Sequence, residues 1–148
     1  MLVANLAGAL AFAVVVAHSG IFSADAKRAF LEMGTTALSY DFATVLVKGV
    51  FAGWLIALLV WLLPAADNSR IAIIVIVTYI IGLGNLGHVI AGSVDALYAV
   101  VAGAATWAHF AGGFLLPALI GNSIGGVLLV SLLNYAQVAV KSDEETTA

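Results

Sequence analysis

Between Ile71 and Gly103 the chain runs through an almost unbroken apolar stretch, IAIIVIVTYII, and then through GLGNLGH, with Gly82, Gly84 and Gly87 crowded ahead of His88. A second apolar run resumes near Val94 and continues to Ala102. The whole segment is about 33 residues long, against the ~20 that a helix needs to cross a bilayer. One span would overshoot and two would not fit. Glycine carries no Cβ and lowers the cost of leaving a helix. The pattern therefore predicts a broken helix over 71–103: a half-helix to Ile81, an irregular turn carrying His88, and a second half-helix. Irregular backbone at membrane depth is tolerated only where protein or a water-filled cavity covers it. A titratable residue on such a break marks a functional site, and discontinuous helices build the midplane sites of many transporters.

The bilayer is the right solvent to assume. The chain has 148 residues, 64% of them hydrophobic and 9% charged, whereas soluble domains carry about 25% charged residues. Cysteine is absent, which excludes disulfides and thiolate metal sites. The three histidines are too scattered, and too far from grouped carboxylates, to form a metal site. The net charge of −3 comes largely from the tail after Lys141. With no basic patch, the chain has no footprint for nucleic acid. Gly82–Gly87 lacks the preceding strand and the spacing of a dinucleotide fingerprint, so no cofactor is expected.

In order, the hydropathy pattern predicts a first span over 1–22 and an amphipathic connection at the membrane surface over 23–41. Phe30, Met33, Ala37 and Leu38 fall on one face of that connection. A second span runs from about Phe42 to Leu63 and stops at Pro64; a polar turn at Asp67–Arg70, the broken third span, and a fourth span from Phe110 to Val138 follow. Residues 139–148 form a charged tail. The expected class is an all-α integral membrane protein with four spans, the third one broken. The five lysines and arginines are too few to set its orientation.

Asn5-Leu-Ala-Gly8 in the first span is echoed by Asn122-Ser-Ile-Gly125 in the fourth. Small residues let helix backbones approach, and an amide can bond across the contact. Asn5, Gly8, Gly121, Asn122, Gly125 and Gly126 are thus candidate helix contacts. The echo also places the first and last spans at equivalent positions of two repeats. On that reading 42–138 is one complete three-helix repeat, and 1–22 is the last helix of another.

The stretch Phe114-Leu-Leu-Pro-Ala-Leu-Ile-Gly-Asn122-Ser-Ile-Gly-Gly126 is similar to a signature of the formate/nitrite transporter family, close to Asn-Leu-Ile-Pro-x-x-x-Gly-Asn-x-x-Gly-Gly. His88-Val-Ile-Ala91-Gly92 resembles that family's His-x-x-Ala-Asn motif on a broken helix, and Gly49, Gly53 and Leu59-Val-Trp61 resemble the helix before it. The resemblance implies an aquaporin-like inverted-repeat fold, here partial, with the last four of six spans. It also implies a pentamer, an anion conduit in each protomer, and a location in the bacterial inner membrane. Ile81 and Ile56 stand where apolar constriction residues are expected, and Ala91 on the path. Gly53 and Gly92 stand where the family usually places asparagines, and Gly87 where an acidic residue often precedes the histidine.

His88 is the principal candidate. A bare anion meets a desolvation barrier in hydrocarbon that its conjugate acid does not, and an imidazole changes charge near physiological pH. Asp95 reads either as a partner for His88 or, more plainly, as a first-turn carboxylate held by a helix N-terminus. Lys48 reads either as an anion attractor or as a lysine reaching for the interface. The expected function is passage of a small monovalent anion, such as formate or nitrite, or of its acid, by a chain incomplete as a conduit on its own. The rival is a non-conducting four-span structural or assembly subunit whose glycines serve only packing. An intramembrane enzyme finds no nucleophile or ligand set here.

Overall fold

A computed structural model of the chain describes residues 1–147, with side chains described as far as Ala136 except that of Asn134. The side chains of the tail expected at 139–148 lie outside the described residues. Helix α1 spans Leu2–His18, α2 Ala24–Leu38, α3 Phe42–Leu62, α4 Arg70–Leu83 and α5 Val89–Val101. A single turn, α6, covers Trp107–His109. It continues through a π-helical segment, Phe110–Leu115, into α7, Leu116–Thr147. Strands are absent among the described residues.

Each boundary has a local cause. Asp41 caps α3 by accepting the Thr44 N–H at 2.7 Å; this backbone donor, the largest influence on the group, holds the Asp41 carboxyl below its usual value. Pro64 has no N–H to continue the helix, and the chain tightens there into two short 3₁₀ turns. Helix α1 stops at His18, short of the expected Phe22. The Lys27 ammonium reaches back to the carbonyls of Ala17 and Ser19, at 3.0 and 2.9 Å, so a cation sits at the negative end of α1. Phe12, Phe22 and Phe30 then form a mutually edge-on triad, with Tyr98 tilted against Phe30. Such pairs add about 1 kcal/mol each beyond the area they bury, and here they fix α2 against α1 and α5.

Two packings organise the rest. Helix α5 lies against both α1 and α2, with Ala9, Ala13, Ala96 and Ala99 buried where the helices meet. Small side chains at such contacts allow close approach. Helix α2 therefore does more than lie at a surface. Gly34 is seated on the backbone carbonyl of Asp95, and a Cβ there would collide with it. Helices α3 and α7 make the other packing, through two Gly-x-x-x-Gly pairs, Gly49/Gly53 and Gly121/Gly125. The Cβ positions of Gly53, Gly121 and Gly125 run into the backbone carbonyls of Asn122, Leu46 and Val50 in turn.

Two helical stretches, Phe42–Ala65 and Trp107–Leu133, are long and apolar enough to cross a membrane. Helix α1 has 17 residues and α5 has 13. At 1.5 Å per residue α5 rises about 20 Å, short of the ~30 Å hydrocarbon core. Helix α4 touches mainly α3 and leaves Ile71, Val75, Ile76, Tyr79 and Leu83 exposed, an apolar surface suited to lipid.

Candidate functional site: the helix break and its cleft

The helical path is interrupted between Leu83 and Val89. Gly82 is still helical, with open space around its Cα, so the glycine cluster starts ahead of the break. The turn itself is Gly84 to His88. Asn85 adopts φ +46°, a left-handed conformation that asparagine tolerates better than most residues. Helix α5 begins at Val89, ahead of the apolar run near Val94, because acceptors from two sources satisfy its first amides. His88 Nδ1 accepts the Ala91 N–H at 3.2 Å, and Asn122 Oδ1 accepts the Val89 N–H at 3.0 Å. A helix start buried without such partners would leave orphan donors.

Asn122 does more than this one bond. Its Nδ2 donates to the Gly87 carbonyl at 2.7 Å and to the Gly49 carbonyl at 3.0 Å. One amide thus joins α3, the break and α7. On the other rim the Lys48 ammonium donates to the carbonyls of Gly84 and Asn85, at 3.1 and 3.3 Å, and lies 4.5 Å from the centre of the Tyr40 ring. Lys48 therefore holds the first two carbonyls of the turn that follows α4. Replacing it by methionine is expected to lower stability by about 1 kcal/mol, and to speed hydrogen exchange at the amides of Leu86 and His88, which mass spectrometry would register.

These elements enclose a cleft of about 180 Å³, roughly six water volumes at ~30 Å³ each. The structure brings six of the expected residues together on its wall: Lys48, Ile81, His88, Ala91, Gly92 and Asp95. Neutral His88, with Nδ1 accepting, carries its proton on Nε2. Asp95 falls in the middle of α5, so the helix N-terminus expected to stabilise it is too far away, and it forms no salt bridge among the described residues.

Gly53 and Ile56 do not reach the cleft. Gly53 is buried against Asn122 on the α3–α7 contact, and its missing side chain serves packing. Gly126 is only loosely placed, its Cβ position 4.0 Å from the Gly53 carbonyl. Asn5 and Gly8 are exposed, with nothing within 4 Å of the Gly8 Cβ position. Among the described residues no helix packs against Gly8. Sequence reasoning missed, as lining of the cleft, Met33 and Thr36 on α2, Tyr40 just beyond its end, and Phe114 on the π-helical segment. The expected stripe of Phe30, Met33, Ala37 and Leu38 held two of the lining residues, Met33 and Ala37, but its partner went unrecognised.

The family model for formate/nitrite transporters matches residues 1–136. The chain belongs to the formate/nitrite transporter family. It is 33% identical over 138 residues to the inner membrane protein YfdC of Escherichia coli (strain K12), an alignment that covers 93% of this chain and 44% of that protein. It is 35% identical over 100 residues to the uncharacterized transporter YrhG of Bacillus subtilis (strain 168), covering 66% of this chain and 37% of that protein. The chain spans less than half the length of these curated relatives. No solved structure matches it closely enough to count as a relative. Formate/nitrite transporters are membrane transporters and not enzymes, and the helical, apolar architecture described above accords with that membership.

Proposed function

We propose that the cleft beside His88 is part of a passage for small monovalent anions, formate and nitrite being the type, or for their conjugate acids. The observation that carries this reading is the placement of His88. It sits on a helix break inside an otherwise apolar protein, its Nδ1 engaged by Ala91 and its ring on the cleft wall. Nε2–H can hydrogen-bond an entering anion. To hand on a proton the ring first takes one from the aqueous side at Nδ1, releasing the Ala91 N–H, and returns to the neutral form as the Nε2 proton passes to the anion. Protonation removes most of the desolvation barrier that a bare anion meets in a low-dielectric passage. Ile81 and Ala91 on the same wall exclude water. Lys48 supplies positive charge at one rim. Family membership supports the transport reading, and the fold it implies is two inverted repeats, of which α3 to α7 make one and α1 the end of the other. A homopentamer in the bacterial inner membrane completes the proposal.

The test is flux in proteoliposomes. Uptake of formate, nitrite and hydrosulfide is followed against external pH for a full-length family protein that carries this segment and for His88→Phe made in it. The substitution is expected to lower uptake about hundredfold, the lower range for a positioned acid–base group, and to flatten its pH dependence. Equal fluxes in both proteins would remove His88 from the mechanism. Absence of flux from the unaltered protein would favour the non-conducting assembly subunit.

A further inference from the structure

Gly92 lies one helical turn beyond His88 on the same face of α5. Glycine in a helix interior is unfavourable relative to alanine, so its presence calls for a reason. The reason is a ring. A Cβ on Gly92 would lie 2.5 Å from Cζ and 3.2 Å from Cε2 of Phe114, so the phenyl edge occupies the space that any side chain at 92 would need. Phe114 is 2% exposed and has little freedom to swing aside. It reaches this point from the π-helical segment Phe110–Leu115, whose wider turns shift the register of the side chains after it. Such bulges often occur at functional sites. Both residues line the cleft.

We infer that the Phe114 ring, seated in the notch at Gly92, is the size-determining wall of the passage, limiting it to acids with the bulk of formic or nitrous acid. The inference rests on the transport reading above and names the residues that set substrate size within it. Along the cleft the permeant meets hydrocarbon from Phe114 and from Met33 and Ala37 of α2, with the Thr36 hydroxyl beside them. The three apolar side chains offer no hydrogen bond, and the Thr36 hydroxyl serves every monocarboxylic acid alike. The titratable groups facing this stretch are His88 and Asp95 from α5, Lys48 from α3 and Tyr40 beyond the end of α2. They are common to all permeants of one charge, so discrimination among monocarboxylic acids falls to the ring.

Uptake of formate, acetate and propionate at one fixed pH, in proteoliposomes of the same full-length family protein, tests this. Phe114→Ala is expected to raise the propionate-to-formate ratio about tenfold or more, the effect of relaxing a pocket by a few methylenes. Phe114→Leu should raise it less, and serves the same comparison if the alanine variant is not recovered folded. Gly92→Ala, which pushes the ring into the cleft, should lower formate uptake about tenfold; adding Phe114→Leu to it should restore uptake. Formate uptake with an unchanged ratio in both Phe114 variants would overturn the inference and leave the transport reading standing. No formate uptake by the unaltered protein would overturn both.

Discussion

Asn122→Ala is expected to lower the stability of the solubilised protein by about 3 kcal/mol or more, summed over three hydrogen bonds that each lose their only side-chain partner. The affected groups are the Val89 amide and the carbonyls of Gly87 and Gly49. The penalty is large because these are backbone groups where α3, the break and α7 converge: substitution takes this partner from the Val89 donor and the Gly87 acceptor and strips a second bond from the Gly49 carbonyl inside α3. Asn122→Asp separates the roles. Its carboxylate keeps an acceptor for Val89 but offers no donor to either carbonyl, so it should fall well short of rescue. Thermal unfolding followed by tryptophan fluorescence measures both. A melting temperature for Asn122→Ala within a degree or so of the parent would mean that the amide is not what holds the break.

Gly125→Val is the second large effect, expected at about 3 kcal/mol, the upper range for forcing methyl groups into a filled contact. A Cβ on Gly125 has nowhere to go: the Val50 carbonyl carbon lies 2.8 Å and the Trp54 amide 2.9 Å from its position. Backbone cannot step aside as a side-chain tip can, so α3 and α7 must separate along their length. Gly126→Ala is the control. Its nearest non-local atom is the Gly53 carbonyl at 4.0 Å, and alanine favours a helix over glycine by about 1 kcal/mol, so that variant should be neutral or slightly more stable. The same unfolding assay reads all three. If Gly125→Val and Gly126→Ala melted together, the interlocked glycines would not be setting the helix separation.

The break was legible because two independent signals agreed: a hydrophobic segment too long for one crossing, and glycines that make leaving the helix cheap. Its far edge was not. Helix α5 starts at Val89 through an acceptor supplied by Asn122, far along the chain, and no local pattern reports such a partner. Lys48 was misjudged for a related reason. The carbonyls that capture it belong to Gly84 and Asn85, which no helical spacing from residue 48 would suggest. The paired Gly-x-x-x-Gly spacings of α3 and α7 were in plain view. They explain Gly53 better than a place on the permeation path does. The Asn-x-x-Gly echo misled in the other direction: Asn122 bonds in three directions, while Asn5 is exposed in this chain. The ring of Phe114 over Gly92 depends on π-helical register, to which composition is blind.

The Lys48 ammonium has a consequence for which ions the cleft suits. A turn that interrupts a helix leaves backbone carbonyls outside the helical ladder, and backbone carbonyls are what potassium channels use to strip and hold a metal ion. Here those oxygens already face a cation that is part of the protein. A second cation arriving at these two oxygens would find the place taken by a tethered counter-ion.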